Sequence, residues 1–159
     1  MTAIRTRGAV VLLLLCAVPA AGQTAGNAQG AARVVRHQAP TDRAFDFPAA
    51  ALQAEFGEMA QKKLITTRLL EGGSFSLNTR RIVGSEPAQL HKSIIEFYFV
   101  REGTATLVTG GTLANGAIAG GVERRVGPGD VVFIPPGVPH GIRDTTGISY
   151  LNIHFGGTD

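Results

Sequence analysis

The stretch GDVVFIPPGVPH, Gly129–His140, decides how this sequence is read. Asp130 to Ile134 has the β-branched and aromatic content of a short strand. Prolines 135 and 136 end it, because proline has no N–H to give a sheet ladder. Gly137 permits a backbone angle that other residues resist. A third proline, Pro139, stiffens the approach to His140. A strand that runs into a rigid corner and delivers one histidine predicts a side chain held at a fixed place.

Outward from this corner the texture stays β-like. Short runs rich in Ile, Val, Thr and Phe predict strands near 64–70, 74–83, 94–101, 104–109, 122–126, 130–134, 140–143 and 148–155. Gly72-Gly73, Gly103, Asn115-Gly116 and Pro128-Gly129 mark turns between them. Many short strands with no helical pattern between them predict a sandwich or barrel. Gly110 to Gly121 is glycine-rich but has no lysine after its glycines, which excludes a phosphate loop and reads as a flexible hairpin connection. Before the β-region, Pro48 to Gln61 carries Leu52, Phe56 and Met59 at helical spacing and predicts one packing helix, with Gly57 its weakest point.

The N-terminus has a different character. Arg5 and Arg7 precede an apolar run, Ala9 to Val18, and small residues follow at Ala20, Ala21 and Gly22. The pattern is that of a secretory signal cleaved after Gly22, and the run is short for a membrane span. An uncleaved anchor is the alternative; Cys16 sits inside the run after a leucine, which disfavours a lipoprotein. The sequence therefore predicts an exported protein, periplasmic or extracellular, with no membrane association once the signal is removed. Residues 23–44 read as a flexible lead-in and 45–159 as one domain with its core at 64–155. Removing residues 1–22 from the 159-residue chain leaves 137, with 13 basic and 12 acidic side chains and no cysteine. Disulfides are excluded. Near-neutral charge without a basic, aromatic-interleaved stripe disfavours nucleic acid as a partner.

Three histidines fall in the β-region: His91, His140 and His154. Glu96 stands inside the apolar run SIIEFYFV, where an ionised carboxylate requires a compensating partner. Alternation puts Glu96, Tyr98 and Val100 on one strand face. His91 is five residues earlier and converges with Glu96 only if the chain bends at Lys92-Ser93. His154, Asn152 and Tyr150 share one face of the last strand, lining a pocket or facing solvent. Arg81 shares a face with Phe75 and Leu77 and is a candidate carboxylate clamp or a strand-end arginine. Tyr98 is a candidate proton donor or a core residue.

Taken together, QLHKSIIEFYFVREG and GDVVFIPPGVPHGIRD resemble the two motifs of the cupin superfamily. His91, Glu96 and Gly103 match the first motif, and Gly129, Pro135, Gly137 and His140 match every position of the second. Two positions depart from the pattern: Gln89 stands where the first motif has another histidine, and Asp144 where an asparagine often follows the second. The resemblance implies an all-β, cupin-type jelly-roll β-barrel with one short N-terminal helix. It implies a divalent metal ion (Fe, Mn or Zn) held by His91, Glu96 and His140, with Gln89 as fourth ligand or holding a bound water. Tyr98, Arg81 and His154 are the candidate catalytic residues, and no organic cofactor is expected. The expected function is that of a dioxygenase, isomerase or lyase acting on a small organic molecule. The alternative is a non-catalytic small-ligand module with a degraded metal site. A homodimer is expected in either case.

Overall fold

The computed structural model describes residues 34–156, so the expected signal at 1–22 and the first part of the lead-in lie outside the described residues. The described residues form one helix and eleven strands. In chain order these are β1 (Val35–Gln38), α1 (Ala49–Lys62), β2 (Thr66–Glu71), β3 (Phe75–Gly84), β4 (Ile95–Glu102), β5 (Ala105–Thr109), β6 (Thr112–Ala114), β7 (Ala117–Ala119), β8 (Val122–Val126), β9 (Val131–Ile134), β10 (His140–Arg143) and β11 (Thr145–Phe155). The expected β architecture with one preceding helix is what forms.

The strands make a six-stranded sheet in the order β1-β2-β3-β11-β4-β9 and a three-stranded sheet in the order β10-β5-β8. The last strand thus lies between β3 and β4, antiparallel to both. The apolar core draws on both sheets: Ile82, Tyr98, Val100, Val132, Ile134, Ile148 and Tyr150 from the first meet Ala105, Leu107, Val126 and Ile142 from the second. Such a core requires strict alternation, and β4 supplies it, with Glu96, Tyr98 and Val100 buried in turn.

One expectation is corrected. Residues 35–38, assigned to the flexible lead-in, form β1 and pair parallel to β2. Arg36 there binds Glu55 of α1, which ties the strand to the helix. Within Gly110–Gly121 the expected hairpin forms, as β6–β7. Helix α1 buries Leu52, Phe56 and Met59, as its spacing predicts, and ends at Lys63 in the left-handed conformation.

Gly103 joins β4 to β5 at a φ of 73°, and a Cβ there would lie 1.7 Å from the carbonyl oxygen of Gly147. No other residue fits that crossing without displacing the backbone of β11. The proline corner is equally specific. Gly137 takes a φ of 77°, and its N–H donates to the His91 carbonyl at 2.7 Å. The corner that delivers His140 therefore also anchors the loop that carries His91.

Candidate metal centre

Four elements bring the site together. His91 lies in the loop before β4, where the chain bends at Lys92-Ser93 as the spacing requires. Glu96 is the second residue of β4, His140 opens β10, and His154 lies near the end of β11. One donor atom each from His91, Glu96 and His140 lie within 4.8 Å of one another. The sequence placed these three together, and they converge.

The three donors are close enough to share an ion. His140 Nε2 is 3.0 Å and His91 Nε2 3.3 Å from Glu96 Oε1. Nitrogen and oxygen donors in a tetrahedral zinc site stand about 3.3–3.5 Å apart, so small shifts bring both pairs onto one ion. The pair Glu96–His140 is buried, with each side chain 4% exposed, whereas His91 and His154 are 22% and 23% exposed. The site thus has a closed floor and a rim nearer to solvent.

The protonation of His140 is set by its neighbours. Its Nδ1 lies 2.9 Å from the Val138 carbonyl, which can only accept, so Nδ1 carries the proton. In the neutral ring Nε2 is then a lone pair, and it faces a carboxylate oxygen. Two lone pairs at 3.0 Å repel unless a proton or a cation lies there. Glu96 Oε1 is buried and has no hydrogen bond of good geometry. Burial pushes the Glu96 carboxyl up, but His140 and His154 outweigh it and hold it well below the ordinary carboxylate range. Burial lowers His140, and the Glu96 carboxylate more than reverses that, leaving the imidazole raised. Without another cation, a proton on His140 balances Glu96.

The other carboxylate oxygen is held differently. Oε2 accepts a hydrogen bond from Asn152 Nδ2 at 2.9 Å and lies 3.1 Å from His154 Nε2. Asn152 is oriented in turn by Asn78, whose Nδ2 reaches the Asn152 carbonyl and side-chain oxygens at 3.3 and 3.4 Å. Arg68 donates to the Asn78 side-chain oxygen at 3.2 Å. A polar row therefore crosses β2, β3 and β11 to Glu96 on β4. Its signal in the sequence was the alternation Tyr150, Asn152, His154, and the structure turns that row inward. Asn78 was not anticipated.

The remaining candidates fall elsewhere. Gln89 exchanges both backbone hydrogen bonds with His140 in an isolated bridge, but it is exposed. Arg81 does share a face with Phe75 and Leu77, and that is the outer face. The arginine turned inward on β3 is Arg80, which binds Thr66, Tyr150 and Glu86. Arg81 as a clamp in the pocket is thereby excluded. Tyr98 packs in the core, its ring 4.7 Å from that of Tyr150, and burial pushes its hydroxyl well above the ordinary range. It serves as wall rather than as proton donor. Two surface grooves, one at Phe133, Pro135 and Val138 and one at Glu86, Gly141 and Arg143, include none of the four site residues.

Residues 83–153 match the family described as Cupin domain. No curated protein matches the sequence. A Bacillus halodurans protein of known structure is 18% identical, with a TM-score of 0.57 over 75% of this chain and 86% of that one. The DMSP lyase of Ruegeria pomeroyi is 20% identical, with a TM-score of 0.52 over 72% of this chain and 67% of that one. At such identities the likeness concerns the fold, which is the cupin jelly roll. The family match and the fold together support the cupin superfamily.

Proposed function

We propose that this cupin-fold protein holds a divalent metal ion, one of Fe, Mn or Zn, at His91, Glu96 and His140, and acts there on a small organic molecule. One observation carries the reading: His140 commits Nδ1 to Val138 and so turns a lone pair onto the buried carboxylate oxygen of Glu96 at 3.0 Å. A bound divalent ion would satisfy both atoms and act as a Lewis acid toward an oxygen-bearing substrate. The protein's own residues supply the rest. Val138 fixes the tautomer of His140, and Asn152 fixes the rotation of the Glu96 carboxylate. Tyr98 and Tyr150 close the floor against water. His91 and His154, at the rim, are the imidazoles that a small molecule would meet first.

The fold leaves the reaction class open among dioxygenase, isomerase and lyase chemistry. A non-catalytic binding module is the second reading, favoured by the exposure of Gln89 and the burial of Tyr98 in the core. Elemental analysis of protein purified without chelators separates the two. Stoichiometric metal in the parent protein and none in His140→Ala is the expected result. No metal in either would leave the binding module.

Export and self-association complete the proposal. The basic residues Arg5 and Arg7 and the run Ala9–Val18 support a cleaved signal, and N-terminal sequencing of protein from a secreting host is expected to begin at Gln23. A homodimer is supported by the outer face of the large sheet, where Phe75, Phe155, Phe97, Phe99 and Phe133 form a connected row of rings. Phe99, Phe133 and Phe155 in that row are exposed. Sedimentation is expected to give a dimer for the parent and a monomer for Phe133→Asp; a monomeric parent would end the dimer reading.

A further inference from the structure

We infer that His154, and not Gln89, supplies the fourth donor of the metal centre, an inference that rests on the metal reading above. His154 lies outside both sequence motifs, 58 residues from Glu96 along the chain. The strand order β3-β11-β4 nevertheless places it directly opposite Glu96 in the ladder. Directly opposed residues of an antiparallel pair leave the sheet on the same face, so the imidazole and the carboxylate meet by construction. Its Nε2 is 3.1 Å from Glu96 Oε2, which matches the 3.0 Å between His140 and Oε1. Its ring centroid is 5.6 Å from that of His91, the same separation as between His91 and His140. Three imidazoles therefore surround one carboxylate, two on its first oxygen and one on its second. The donors of His91, Glu96 and His140 already lie within 4.8 Å of one another; His154 stands just outside that group, on Oε2, and would close on it when an ion binds.

Gln89 is the weaker donor by position and by chemistry. Its bridge to His140 points it to the same side of the sheet, yet it is exposed while His140 is buried. An amide oxygen is also a poorer ligand than an imidazole nitrogen for Fe, Zn and similar ions. His154 has a competing role, that of donating a hydrogen bond to Oε2 and positioning the carboxylate without touching the ion. The two roles differ in what a glutamine at 154 does. Its amide can still donate to Oε2, but the imidazole nitrogen is gone.

The test is titration of the full chain with Co(II), read by visible absorption and by the hyperfine-shifted imidazole ring protons. The parent is expected to bind one Co(II) with three shifted imidazole sets. His154→Ala and His154→Gln are expected to bind at least about tenfold more weakly, with two sets and an altered visible band. Gln89→Ala is expected to stay within about twofold of the parent, with three sets. Retention of three sets in His154→Ala, or rescue of affinity by His154→Gln, overturns the inference while leaving the metal reading intact. Loss of affinity in Gln89→Ala alone overturns it too. A parent protein that binds no Co(II) overturns both. Counting the shifted sets keeps the test decisive even where a variant loses stability.

Discussion

Two carboxylates of the barrel, the half-buried Glu86 and the buried Glu96, are balanced in different ways. Glu86 pairs with Arg80, which also bonds Thr66 at 2.6 Å and Tyr150 at 3.4 Å. A guanidinium is permanently charged, so the cationic half of this pair is present at every pH. Burial still pushes Glu86 up, and Arg80 only partly opposes it. Glu96 has imidazoles instead, which carry charge only when protonated. Neutral histidines around an ionised carboxylate leave a negative charge in a floor that is closed to water. The comparison teaches that the first carboxylate belongs to the structure and the second is open to a cation.

The largest expected effect breaks the first pair. Arg80→Met strands the Glu86 charge and is expected to cost about 3–5 kcal/mol of stability, measured by urea unfolding. Arg80→Met with Glu86→Leu is expected to recover most of it, because a matched apolar pair leaves no charge behind. An equal loss in the single and double variants would mean that the pair is not what holds this region.

The same operation at the second site is expected to read out in metal rather than in stability. Glu96→Gln keeps the shape and the Asn152 contact but removes the charge. A loss of metal affinity of about a hundredfold or more is expected, by calorimetric titration with Zn(II). The metal-free stability is expected to change by less than it does in Arg80→Met. Unchanged affinity would erase the distinction between the two carboxylates.

The smallest effect sharpens the comparison through pH. In metal-free protein the lowered Glu96 contributes stability that is present above the ordinary carboxylate value, about 4.3, and lost as pH falls through its depressed one. The raised His140 contributes stability that is full below the ordinary imidazole value, about 6.5, and lost as pH rises through its raised one. A maximum in mildly acidic solution follows. Metal is expected to remove the alkaline decline, because an ion replaces the proton on His140, and to bind more weakly in acid. Melting temperatures with and without Zn(II) across pH 4 to 9, about the range of these transitions, check this. A flat profile in metal-free protein would show that the Glu96–His140 pair is not the coupled unit described.

Much of this site was legible in the chain. His140 was marked by its rigid corner and Glu96 by a charge in an apolar strand, while His91 entered the set through the resemblance to the first cupin motif, with a turn at Lys92-Ser93 that would let it converge. Each signal is local, because proline, glycine and the alternation of a strand act within a few residues. Strand β1 was missed because Val35–Gln38 carries no alternation of its own and draws its pairing from β2 and its anchor from Glu55. Arg81 was grouped correctly with Phe75 and Leu77, but the inward row on β3 proved to be the other one, with Asn78 and Arg80.

That last case marks the boundary. By itself the sequence determined which residues share a strand face and, through the resemblance to the two cupin motifs, that two histidines and a glutamate have a common destination. Only the tertiary structure decided which face is the inside, that Glu86 is matched by Arg80, and that His154 stands opposite Glu96. The physical reason is that a period of two belongs to a single strand, whereas the choice of face and the ladder partner come from the order β3-β11-β4, set by contacts far apart in the chain.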